Sequence, residues 1–86
     1  MKADISDNLN LLAESIEGIA DNWDAIVMDD QLINRAIHVL ETVASTAYSI
    51  QLLVNFNAIW LSDSENETLE EIQSFVSTGI TELERI

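Results

Sequence analysis

The chain contains no cysteine and no proline, and only Lys2, Arg35 and Arg85 of its 86 residues carry a basic side chain other than the single His38. The lack of cysteine removes any disulfide framework, zinc–thiolate site or thiol nucleophile. With two glycines and no proline there is no turn-rich linker, and no two-residue alternation marks a strand. One imidazole leaves little for nucleophilic catalysis, because a Ser-His pair would have to be built around His38 alone. The scarcity of positive charge matters most. Sixteen acids leave a net charge of −13, which repels DNA, RNA and anionic membrane and argues against direct binding to any of them.

Hydrophobic residues are plentiful at 48%, too many for a disordered acidic tail. The length suits one small domain spanning residues 1–86, with a core near the lower limit of independent stability. The N-terminus, Met1 to Asp7, has one lysine followed by acids and no apolar run, so the expected location is the cytoplasm. Thr42 to Ser62 forms a stretch of 21 uncharged residues, long enough to span a bilayer. Eight of the 21 are polar and no Lys or Arg anchors either end, so a buried helix is the expected state and no membrane partner is assigned.

Ile5, Leu9, Leu12, Ile16, Ile19, Trp23 and Ile26 recur at alternating steps of four and three. This is an a/d seam, and it predicts a helix over about 4–28. Asp4 is its expected N-cap, and Gly18 the expected site of any bend. Asp29 or Asp30 would cap the next helix. Ala36, Leu40, Val43, Ala47, Ile50 and Val54 form a second seam within a helix over about 30–60. Further apolar residues lie around that helix, so it should be covered on several sides, a second copy of the chain being one source of cover. Phe56 and Trp60, four apart, should share a face at its end. Ser64 with Glu67, or Ser62 with Glu65, offers a capping box for a third helix over about 64–85. Leu69, Ile72, Val76, Ile80 and Leu83 are its stripe. The expected fold is all-α: a three-helix antiparallel bundle with a long central helix, dimeric through that helix.

Two possible metal sites are weak. His38 and Glu41 have i, i+3 spacing, but a di-metal site needs that motif twice and more inward glutamates; a partly buried polar pair is the expected state. Asp63, Glu65 and Glu67 imitate the start of a calcium loop, yet Thr68 stands where glycine is needed and Ser74 where the bidentate glutamate belongs. No metal, no cofactor and no enzymatic activity are expected.

The placement of the acids carries the functional reading. On the first seam Asp7, Glu14 and Asp21 fall furthest from the core, with Glu17 and Asp24 beside them, and no Lys or Arg lies between Asp4 and Asp30. The third helix and its approach add Asp63, Glu65, Glu67, Glu70, Glu71, Glu82 and Glu84 against Arg85 alone. An ordinary solvated face mixes signs, because opposite charges at i, i+4 stabilise a helix and like charges destabilise it. A surface of one sign points to selection for something besides stability, either general solubility or a highly acidic proteome on one reading or mimicry of phosphate on the other. In size, charge and helical build the chain resembles the small acidic inhibitors that phages make against host defence systems, a likeness of class. It implies a non-catalytic inhibitor of a positively charged nucleic-acid-binding protein or nuclease complex, acting through Asp7, Glu14, Glu17, Asp21 and Asp24. The alternative is a helical adaptor, chaperone, antitoxin or immunity-type protein that binds one partner through apolar surface, for which Phe56 and Trp60 are the candidates.

Overall fold

The seam of the first segment folds as two helices rather than the one expected over residues 4–28. A computed structural model describes residues 2–86, with side chains from Ile5 onward. It places α1 at Lys2–Asp21 and α2 at Trp23–Val27. Because α1 begins at Lys2, Asp4 lies within the helix and does not precede it as a cap; its side chain lies outside the described residues. The break falls at Asn22, four residues past Gly18. The Asn22 side-chain amide donates to the carbonyl of Gly18 at 2.8 Å, the acceptor its own backbone N–H would use in an unbroken helix. That N–H donates instead to Ile19 O at 3.2 Å. A short polar side chain inserted into the i→i−4 ladder bends a helix in this way. The seam continues through the kink, since Ile19 and Ile26 are both buried.

The next helix, α3, spans Asp30–Asn55. Asp29 caps it, accepting from Gln31 N at 2.8 Å and Leu32 N at 3.4 Å. Ile33, Ala36, Leu40, Val43, Ala47 and Ile50 are buried, so Ile33 extends the second seam by one turn and Val54 marks its half-buried end. The helix stops five residues short of the expected residue 60. Asn57 takes a left-handed conformation (φ 59°), Asn57 N donates to Val54 O at 3.0 Å, and Ala58 N donates to Leu53 O at 2.9 Å. These are the paired bonds of a Schellman ending, with asparagine in the place more often held by glycine. Phe56 and Trp60 therefore share no helical face. They stand 76% and 70% exposed on the connection, whereas Leu61 is buried.

This ending also divides the uncharged stretch. Only residues 42–55 of it are helical, about 21 Å of helix against roughly 30 Å of bilayer hydrocarbon. Taken whole, α3 is long and apolar enough to cross a membrane, with Arg35, His38 and Glu41 exposed along it.

The last helix, α4, spans Asp63–Glu84 and begins with the earlier of the two capping boxes. Glu65 N donates to Ser62 Oγ at 3.2 Å, and Ser62 N donates to Glu65 Oε1 at 2.9 Å. The other carboxylate oxygen of Glu65 accepts from Ser6 Oγ at 2.6 Å, so the cap also ties the start of α4 to the start of α1. Leu69, Ile72, Val76, Gly79 and Leu83 are buried, and Ile80 is half-buried.

Four helices account for 85% of the chain, and no strand occurs among the described residues. The pairing of α3 with α4 is the most extensive; α1 packs on both, and α2 packs on α3. The long axis of 42 Å is set by α3, whose 26 residues rise about 39 Å. Gly79 of α4 packs closely on α3, where an added Cβ would lie 3.1 Å from Leu40 Cδ1. No polar or charged side chain is buried among the described residues.

Candidate functional site

Asp7, Glu14, Glu17, Asp21 and Asp24 are all exposed, but they do not form one face. Asp7, Glu14 and Asp21 follow at seven-residue intervals on α1, which sets them on a single ridge about 10.5 Å apart. Glu17 lies on the flank of α1 that meets α4, in a cleft of about 200 Å³ that it shares with Glu71 of α4. Asp24 stands beyond the Asn22 kink, in the first turn of α2.

Two other acids serve the fold. Asp29 caps α3, and Glu65 holds both the α4 cap and Ser6. Such carboxylates at helix starts also complement the positive end of the helix dipole. The helix ends are the reverse. No basic residue occupies the last turn of α1, α3 or α4, while Asp21 ends α1 and Glu82 and Glu84 end α4. A carboxylate there opposes the dipole and costs about 0.3–1 kcal/mol where exposed. At both ends the opposition is partly offset, since Arg85 caps α4 directly after Glu84 and Asp21 immediately precedes Asn22, the N-cap of α2.

The start of α1 meets the start of α4 through Ser6 and Glu65, and further along Ala13, Ile16 and Glu17 meet Thr68, Glu71 and Phe75. The two helices therefore run side by side in the same direction. Together they carry 12 carboxylates over about 33 Å, or one per roughly 3 Å, against one charge per about 1.7 Å of duplex DNA. The spacing is uneven: residues 72–81 contain no acid.

That acid-free window marks what sequence reasoning missed. A second cleft, of about 160 Å³, lies beyond the kink between Trp23 of α2 and Phe75, Thr78, Gly79 and Glu82 of α4. Phe75 lines both clefts. Trp23, expected as a seam residue, is only half-buried and forms one wall. The available signal was an aromatic at 75 and an acid-free stretch closed at both ends by Glu71 and Glu82.

The residues examined for metal binding assemble differently from the motifs they imitate. His38 and Glu41 are exposed on α3 rather than partly buried at a junction. Asp63, Glu65 and Glu67 lie in a helix, with Glu65 engaged in its cap. No group of three or more potential metal ligands occurs among the described residues. The chain matches no protein-family model, no curated protein and no solved structure.

Proposed function

We propose that the protein is a non-catalytic, acidic binding protein that occupies the basic groove of a nucleic-acid-handling protein or nuclease complex in place of nucleic acid, as small phage inhibitors of host defence do. The observation that carries this reading is the single sign of the charge on two helices that run side by side, α1 and α4, which carry 12 carboxylates against Lys2 alone. Selection for stability alone would have put lysine among them. The helices are read as a three-helix antiparallel bundle, with α1 and α2 as one bent arm, working inside the cell. The homodimer belongs to the same proposal. Its support is α3, whose 26 residues carry only Asp30 and Glu41 as acids and so offer a long face for two copies to share.

A second reading has an observation of its own. Phe56 and Trp60 are largely exposed at one end of the molecule, as an adaptor that binds through apolar surface would require. Salt separates the two readings. A nuclease-treated bacterial lysate is passed over the immobilised protein and eluted in rising salt, with duplex DNA as competitor. Mimicry expects basic nucleic-acid-binding proteins to leave at moderate salt, to be displaced by DNA, and to be lost when Asp7, Glu14, Glu17, Asp21 and Asp24 are replaced by Asn or Gln. A partner that resists high salt, is retained by that five-site variant and is lost with Phe56→Ala supports the adaptor and removes the mimic.

A further inference from the structure

Along the line where α1 and then α2 meet α4, two clefts share Phe75 and give an apolar strip with carboxylates among its lining residues. Ile16, Trp23 and Phe75 form the strip, and Glu17, Glu71 and Glu82 stand along it. At about 200 and 160 Å³ each cleft is smaller than the roughly 300 Å³ at which small-molecule sites begin. The scale is that of side chains from a protein partner. Glu71 and Glu82 lie 11 residues apart on α4, about 16.5 Å or three helical turns. A carboxylate at each end and apolar surface between is the complement of a helix with one apolar stripe and a Lys or Arg near each end of it.

We infer that the seam α4 forms with α1 and α2 docks a basic amphipathic helix of a partner protein, its apolar stripe against Phe75 and Trp23 and its cations against Glu17, Glu71 and Glu82. The inference rests on the proposed binding role and names the partner's element. It also separates the acids into two groups, with Glu17, Glu71 and Glu82 in contact with the docked helix and the Asp7–Glu14–Asp21 ridge outside it.

The probe is a synthetic helical peptide of about five turns with a leucine stripe and lysines on its flanks. Its controls are a scrambled peptide of the same composition and an amphipathic peptide with glutamate in place of lysine. In a Trp60→Phe background the fluorescence of Trp23 reports directly on the seam. The expected result is a saturable blue shift with the amphipathic lysine peptide alone. Affinity should fall at least tenfold in the seam variant Glu17→Gln/Glu71→Gln/Glu82→Gln, fall less in the ridge variant Asp7→Asn/Glu14→Gln/Asp21→Asn, and stay within about threefold in Glu41→Gln on α3. Circular dichroism of all three variants establishes that they remain helical. Equal binding of the scrambled peptide, or loss in the ridge variant rather than the seam variant, overturns the inference. Failure here is distinct from failure of mimicry. A basic, DNA-displaceable partner retained by the seam variant and lost by the ridge variant leaves mimicry standing without the docked helix. A peptide bound at the seam while lysate partners ignore DNA leaves the docked helix without mimicry.

Discussion

Along α3, Leu40, Val43, Ala47 and Ile50 are at most 4% exposed, and apart from Tyr48 only Arg35, His38 and Glu41 ionise between Gln31 and Asn55. The α1–α4 pair carries 12 carboxylates, several of them beside a neighbour of like sign or at the wrong end of a helix. Charge is thus concentrated on α1 and α4, which also bury their own stripes, while α3 carries little. The lesson of the contrast is that a small domain can carry a strongly repulsive surface if the helix at its centre takes little part in it. Apolar contacts on α3 offset the repulsion on its neighbours, and substitutions in the two regions should differ in both size and sign.

The largest effect is expected on the α3 side. Leu40 is completely buried and lies against the approach of α4 at Gly79. Leu40→Ala should cost about 2–5 kcal/mol through lost transfer energy and the remaining cavity. That is a large part of the stability a domain this small can hold. Thermal melting followed by circular dichroism should show a Tm lower by ten degrees or more, or no cooperative transition. A loss below about 1 kcal/mol would mean that α3 is not the centre of the core.

A comparison of the two glycines is smaller and sharper. An added Cβ at Gly18, on the exposed flank of α1, meets nothing within 4 Å, whereas at Gly79 it meets Leu40 Cδ1 at 3.1 Å. Alanine is better than glycine in a helix interior by up to about 1 kcal/mol. Gly18→Ala should therefore raise Tm by a few degrees. At Gly79 the same gain is opposed by overpacking against the fully buried Leu40 side chain, at about 1–3 kcal/mol. Gly79→Ala should lower Tm. Changes of the same sign would show that the α3–α4 contact yields as easily as open surface.

The buried side of this comparison was legible in the sequence, because a core stripe repeats and repetition survives local error. Leu40, Val43, Ala47 and Ile50 follow from spacing alone, as do Leu69, Ile72 and Val76. The helix limits were less legible because single residues decide them. Asn22 and Asn57 look alike in the chain, yet one breaks a helix through its side chain and the other ends one through its backbone. Neither act leaves a periodic trace. The acidic surface was legible as composition and as spacing on one helix. Its pairing across helices was not, since Glu17 reaches the vicinity of Glu71 only through the packing of α1 on α4. Periodicity assigns residues to faces; it does not say which faces meet.

The smallest effect concerns the acids themselves, and it asks whether the repulsion is real. Glu14 with Glu17 and Glu17 with Asp21 are like-charged neighbours at i, i+3 and i, i+4 on α1, each pair destabilising by about 0.2–0.5 kcal/mol. Replacing Asp7, Glu14, Glu17, Asp21 and Asp24 by Asn or Gln should raise Tm by a few degrees at low ionic strength. That gain should shrink as salt screens the wild-type charges, because the Debye length falls from about 30 Å at 0.01 M to about 3 Å at 1 M. Glu41→Gln on α3 is the control. With Arg35 and His38 as the only other ionisable groups within eight positions on either side besides Tyr48, it should change stability by less than about 0.5 kcal/mol at either salt concentration. If the five-site variant is no more stable than wild type at low salt, the acidic helices carry no strain and their single sign needs no function to explain it. If it is more stable, the wild-type acids persist against their effect on the fold, as a surface selected for binding requires.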